Sequence, residues 1–376
     1  MVKRTRSPRP RRAVLVEEVC QVLEAIAPPS LAAEWDNVGL LIGEASAAVR
    51  RLLLTIDLTE PVLREAGRVG AEMVMAYHPV IFKPVSRLTA EATPAAYAAA
   101  RAGLAVYSAH TALDAAPGGT NDVLAEAIGL EDTAPLEPTT RRGQCKLVVF
   151  VPPADLPRVA EAAFAAGAGR IGNYSECSYY TPGIGTFRGG RGARPTVGRA
   201  GRREAAEELR LEVIVPAAKL AEVTAAVRGV HSYETPAMDV YPLTDLPPGA
   251  GMGRIGRLAR PTPLKTLIAR LKRALGVGKV LLAGKAGGPI RTVACCAGSC
   301  GGMFRSALAA GAQAYVTGEM RHHDALAAGA GLAVVCVGHS HSERIALSRL
   351  AEALRAALPQ LKVTVSRADR DPFEIV

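Results

Sequence analysis

His78, Asp114, His339 and Glu343 sit in three distant segments, AYHPVIFKP, YSAHTALD and VGHSHSE. In each, a short apolar run ends and a His or Asp follows. Ligands of open α/β sheets collect outside the carboxyl ends of the strands. Three such ends meeting at one point would bring together two imidazoles and two carboxylates. That donor set suits zinc, iron or manganese better than calcium or magnesium, which prefer all-oxygen shells. Two metals would need a bridging carboxylate, and Asp114 or Glu343 could supply it. A second group, Glu319, His322 and His323 in TGEMRHH, also follows an apolar run. These residues could be further ligands, general acid or base groups, or partners that orient the ligating imidazoles; the last role and the substrate side are favoured.

Each residue also has a purely structural reading. Ser340 and Glu343 fit a capping box, in which the acid turns back to the helix start. His78 precedes Pro79 and could simply bond a carbonyl; Asp114 precedes the turn-forming stretch AAPGG. His341 is expected to face solvent, and His231 to be structural. Cys295, Cys296 and Cys300 lack a zinc-finger spacing and read as core. The glycine turn GSCGG (298–302) could cradle an anion, but the dinucleotide and phosphate-loop spacings are missing. No Ser–His–Asp order or nucleophile elbow is present, so covalent hydrolase chemistry is not expected.

The positioning elements alternate. From 13 to 135, helices are expected over 14–27, 59–69, 90–102 and 121–128, and strands over 51–58, 71–77 and 104–108. This is the pattern of a parallel sheet covered by helices. From 144 to 245 the order becomes βα-ββ-αβ, which is ferredoxin-like. Residues 189–204, rich in glycine and arginine, read as a surface loop. After a proline- and glycine-rich linker (244–253), the alternation returns over 254–376. Here strands are expected at 279–283, 292–297, 314–317 and 332–337, with helices at 264–275, 303–310 and 342–358. The halves 13–135 and 254–376 read as one α/β domain interrupted by the middle module.

Composition sets the bounds. With 376 residues and 49% apolar content, two or three domains with real cores are expected. No run approaches the ~18 apolar residues of a membrane span, and a cytoplasmic protein is the expectation. Of the net charge of +10, six units come from Lys3, Arg4, Arg6, Arg9, Arg11 and Arg12, leaving +4 for the rest. The segment 1–12 is expected to be disordered, and its nucleic-acid binding is expected to be weak and nonspecific at most. Aromatics make up 4%, too few for an interleaved base-stacking path.

Five motifs, EWDNVGLLIG (34–43), HPVIFKPVSRLT (78–89), SAHTALDAAPGGTND (108–122), VTGEMRHHDAL (316–326) and GHSHSER (338–344), resemble the Nif-three-like dinuclear-metal proteins. These are often labelled GTP cyclohydrolase I type two homologues. The middle segments 169–189 and 231–243 resemble the PII-like insertion of the longer members. The resemblance implies a dinuclear site on His78, Asp114, His339 and Glu343, with His110 close by. It also implies a homohexamer and metal-dependent hydrolysis of a nucleotide-like or other phosphorylated small molecule. Where many bacterial members carry two adjacent histidines, this chain has Tyr77-His78, so the expected occupancy is one or two metals, with the Tyr77 oxygen a secondary ligand. The competing reading is non-catalytic: a metal-binding regulator, carrier or interaction scaffold.

Overall fold

The strand Met73–Ala76 (MVMA) is completely buried, as a strand covered on both faces must be. In this computed structural model it lies in a five-stranded sheet ordered Lys362–Val365, Arg51–Thr55, Met73–Ala76, Ala105–Ser108 and Gly39–Ile42. The first four are parallel and the last is antiparallel. Helices Val16–Ile26 and His339–Ala357 cover one face through Val19, Leu23, Leu347, Leu350 and Leu354. Helices Glu60–Val69 and Pro94–Arg101 cover the other through Val62, Ala66 and Ala99. The described residues are 13–139, 144–172, 174–243 and 249–374; the basic segment 1–12 and part of the expected linker lie outside them.

A six-stranded sheet follows the order Leu281–Ala283, Ala333–Cys336, Ala314–Thr317, Ile290–Cys296, Gly251–Thr262 and Leu130–Pro138. Its middle strands, Ala333–Cys336, Ala314–Thr317 and Ile290–Cys296, are parallel. Helices Thr120–Ile128 and Leu264–Leu275 pack on one face, and Phe304–Ala309 and His322–Gly329 on the other. Each half of the chain lends a strand to the other's sheet: Lys362–Val365 joins the first and Leu130–Pro138 the second. The chain divides into two compact units, Met1–Pro138 with Pro247–Val376, and Thr139–Leu246.

The second unit has the sheet order Met238–Pro242, Gln144–Val151, Arg203–Pro216, Ser178–Arg188, antiparallel throughout. Numbered by sequence within the unit this is 4-1-3-2, the ferredoxin-like arrangement, with helices Leu156–Ala165 and Leu220–Val230 on the core side.

Several elements depart from the sequence expectation. The stretch 251–253, read as linker, opens the twelve-residue strand Gly251–Thr262. Leu130–Pro138, Gly39–Ile42 and Lys362–Val365 are likewise strands, at or near sheet edges. Glycines, prolines and charges hide Gly251–Thr262 and Leu130–Pro138 from an apolar-run criterion, while GLLI and KVTV are only four residues long. Helix His339–Ala357 begins three residues before the expected 342, with Gly338 at its N-cap (φ 94°). Glu343 is therefore not the reach-back member of a capping box.

Candidate metal centre

The carboxyl ends of the parallel strands in both sheets point at one place. Asp57 follows Arg51–Thr55, His78 follows Met73–Ala76 and His110 follows Ala105–Ser108. Opposite them, Gly298 follows Ile290–Cys296, Glu319 follows Ala314–Thr317 and His339 follows Ala333–Cys336. His78, His339 and Glu343 bring one donor atom each to within 4.8 Å of one another. Glu343 is buried between the two imidazoles. Its Oε1 lies 3.2 Å from His339 Nε2, and its Oε2 lies 3.3 Å from His78 Nε2. Oε2 is buried yet makes no hydrogen bond, because that contact is misaligned for one. Donors about 2.0–2.1 Å from a tetrahedral ion stand roughly 3.3 Å apart. The spacing and the orphaned oxygen therefore fit donors aimed at a common ion.

Both imidazoles are oriented from behind. His78 Nδ1 lies 2.9 Å from Asp57 Oδ1, and His339 Nδ1 lies 3.1 Å from Glu319 Oε1. A carboxylate on Nδ1 holds the proton there and leaves Nε2 as the ligating atom. His110 repeats the pattern, with Nδ1 2.7 Å from Asp36 Oδ1. Its ring stands 5.3 Å from that of His78, which stands 5.4 Å from that of His339. His110 has φ 27°, unusual for a residue with a side chain. The Asp36 carboxylate holds that turn by also accepting the Thr111 N–H at 3.1 Å and the Thr111 hydroxyl.

Asp114 stands outside the three-ligand group. It is buried, and its Oδ1 accepts a hydrogen bond from the Tyr77 hydroxyl, which also contacts Thr120 Oγ1 at 2.9 Å. Burial first, and then the nearby Asp114 and Glu343 charges, hold the Tyr77 phenol well above its usual range, so it stays protonated. Burial, with Glu343 adding to it, pushes Asp114 up to about 6. His322 and His323 are exposed on the first turn of their helix, packed edge-on against each other at 5.4 Å. Among the described residues, no hydrogen bond or ion pair ties either to His78, His339 or Glu343. Sequence reasoning gave no role to Asp36 or Asp57; a lone acid one or two residues past an apolar strand is the signal that could have found Asp57.

The glycine turn at 298–302 packs against the site. A Cβ on Gly298 (φ 69°) would fall 2.4 Å from Glu343 Oε1. A carboxylate at that distance makes the turn a poor anion cradle, and close approach to Glu343 accounts for the glycine. Gly298→Ala is expected to displace Glu343 and weaken metal binding roughly 10- to 100-fold, the range for disturbing a group that orients a ligand. Competition with a chromogenic chelator would measure it. Cys295 and Cys296 are buried core, with thiols pushed up by burial, Cys295 to about 12.

The metal-free site is strongly basic. Burial opposes charge on His78, but Asp57 and Glu343 outweigh it and raise the imidazole to about 10. Glu343, opposed by burial and aided by Glu319, raises His339 to about 9. Burial would lift Glu343, yet the two imidazoles hold it below the usual carboxylate range. For groups raised above their ordinary 6.5, the stabilisation is full below that pH and is lost as pH rises through about 9 to 10. The metal-free protein should lose thermal stability over that window. Metal must displace both Nε2 protons, so its affinity should rise with pH. Calorimetric titrations at pH 7 in buffers of different ionisation enthalpy should show about two protons released per metal. Release near zero would contradict the assignment.

Two interleaved α/β sheets whose strand ends converge on imidazoles and carboxylates define a single class: an α/β protein with an open, three-ligand candidate metal site. The chain matches the Duf34/NIF3 (NGG1p interacting factor 3) family over residues 14–372 and belongs to it. It is 39% identical over 372 residues to a GTP cyclohydrolase 1 type 2 homolog of Halalkalibacterium halodurans, covering 96% of this chain and 98% of that one. The Mycobacterium tuberculosis protein of the same description is 37% identical over 372 residues, covering 96% and 97%. Among solved structures, a Bacillus cereus protein related to NIF3 aligns with TM-score 0.66 at 35% identity, covering 97% of this chain and all of the other. Staphylococcus aureus protein SA1388 aligns with TM-score 0.71 at 25% identity, covering 97% and 99%. Among the described residues no helix is long and apolar enough to cross a membrane.

Proposed function

We propose that this protein is a metal-dependent hydrolase of a nucleotide-like substrate, with His78, His339 and Glu343 holding a divalent zinc, iron or manganese ion. The observation that carries the reading is the buried Glu343 carboxylate facing the Nε2 atoms of two imidazoles that are each fixed from behind by an acid. Two imidazoles and one carboxylate leave coordination positions free, as catalytic sites do and closed structural sites do not. A metal so held lowers the pKa of bound water to about 7 and polarises a carbonyl or phosphoryl oxygen. Glu343 keeps its negative charge at neutral pH, and Asp57 and Glu319 fix which nitrogen of each imidazole faces the site. Glu319 is exposed and can also take up a proton from the substrate side. Beside it opens a cavity of about 510 Å³ lined by Arg321 and Asp324 together with Ser299, Gly301 and Gly302, within the size range of small-molecule sites. The substrate class follows the description of the relatives as GTP cyclohydrolase 1 type 2 homologs.

A second metal position would fall to Asp114 and His110. The Tyr77 hydroxyl already occupies one Asp114 oxygen, which favours one metal per chain over two. The test is turnover of GTP and the other nucleoside triphosphates by metal-loaded protein, by protein stripped with chelator, and by stripped protein after metal is restored. Turnover lost on stripping and regained on restoration is the expected result. Stoichiometric, readily exchanging metal with no turnover of any nucleotide would favour a metal carrier or regulator.

A further inference from the structure

Trp35 is the single tryptophan of the chain and is 62% exposed. Phe82, 45% exposed, packs against it with ring centroids 5.8 Å apart. Both meet His110 nearly edge-on, at 5.9 Å for Trp35 and 6.4 Å for Phe82. The rings therefore continue outward from the imidazole cluster of His110, His78 and His339. Large aromatic rings left in water contribute little to folding, yet here the backbone beneath them is tied down. Asn37 Nδ2 donates to the Ile81 carbonyl at 2.6 Å, joining the two aromatic segments. The Ala33 N–H donates to Thr111 Oγ1 at 2.9 Å, and Asp36 grips His110. Fixed backbone under exposed rings is the arrangement of a preorganised binding surface, which loses little freedom when it is covered.

We propose that Trp35 and Phe82 form a stacking platform for one planar nitrogen heterocycle, a nucleobase or a ring like it, whose edge then points past His110 toward His78, His339 and Glu343. Every base offers a π-face to an aromatic side chain, and such a stack is sequence-tolerant. Aromatic rings favour offset stacks on one another, and the indole offers the larger face of the two. The platform serves one ring, not a strand. It rests on the metal-hydrolase reading only for the orientation of the ring's reactive edge, since the stacking itself needs no metal.

Because Trp35 is the sole tryptophan, its fluorescence reads the stack directly. Guanosine, adenosine, cytidine and uridine would be titrated into protein of measured metal content, with ribose 5-phosphate as the non-aromatic control. The expected result is saturable quenching by at least one nucleoside and none by ribose 5-phosphate. Equilibrium dialysis of that nucleoside should show Trp35→Leu weakening binding roughly 5- to 150-fold, the range of one base–aromatic stack, with Trp35→Phe recovering part of the loss and metal content unchanged in both. Metal-loaded protein that no nucleoside quenches would overturn the platform and leave the metal reading standing. Quenching by protein that takes up no zinc, iron or manganese when each is supplied would keep the platform and remove the hydrolase reading. Emission that shifts with protein concentration, and not with nucleoside, would mean that a second copy covers these rings, and would also overturn the proposal.

Discussion

Glu343→Gln is expected to weaken metal binding by more than about 100-fold, beyond the range seen when only a group behind a ligand is changed. Glu343 supplies both oxygens that face the imidazoles, and its side chain is 4% exposed, so water cannot easily take its place. The amide keeps the shape and removes the charge. One amide oxygen remains for one imidazole, and an NH2 donor is set against the other. Asp57→Asn and Glu319→Gln should act more mildly, about 10- to 100-fold, because they act only through the Nδ1 side of His78 and His339. Chelator competition on the three variants should reproduce that order. Equal losses in all three would mean that Glu343 is not a ligand but one of several acids balancing charge.

Arg254→Leu should cost roughly 3–5 kcal/mol of stability, the range for leaving one member of a buried ion pair without its partner. Arg254 is 2% exposed, and the five guanidinium N–H groups all find acceptors. Nε and Nη2 reach the two Asp122 oxygens at 2.7 and 2.6 Å, Nη1 reaches the Gly251 and Gly253 carbonyls at 2.7 Å each, and Nη2 also reaches the Ala116 carbonyl at 3.2 Å. The side chain ties the strand Gly251–Thr262 of the second sheet to the helix Thr120–Ile128 and to the turn after Asp114. Lysine cannot reproduce the planar fork, so Arg254→Lys should recover little. Arg254→Leu with Asp122→Leu should cost less than the two single changes summed, because no charge is then stranded. Urea midpoints of the wild type and the four variants measure these effects. An additive double variant would contradict the pairing.

Legibility followed hydrophobic continuity. Leu264–Leu275 and Ala314–Thr317 were read from sequence at their observed bounds, because one is an amphipathic helix closed by glycine and the other a buried apolar run. Gly251–Thr262 was largely invisible: GMGRIGRLARPT mixes glycine, arginine and proline, and its Arg254 is buried only because Asp122, from another part of the chain, pairs with it. In the site, His78 and His339 could be read because each follows a strand end, and Glu343 because it stands four residues past His339 in the helix that begins there. Asp36 could not, since its role exists only once His110 is beside it in space, and Asp57 offered only its place just past the strand Arg51–Thr55. Ser340 and Glu343 showed how local chemistry misleads. Their spacing imitates a capping box, while Gly338 starts the helix early enough to turn Glu343 inward.

The central claim is that His78, His339 and Glu343 hold a metal. Metal content per chain, by elemental analysis of wild type and His339→Ala purified without an affinity tag, tests it most directly. Close to one equivalent in the wild type, lost in the variant, is the predicted result. Wild-type protein that retains no zinc, manganese or iron after incubation with each, or a variant that retains as much as the wild type, would contradict it.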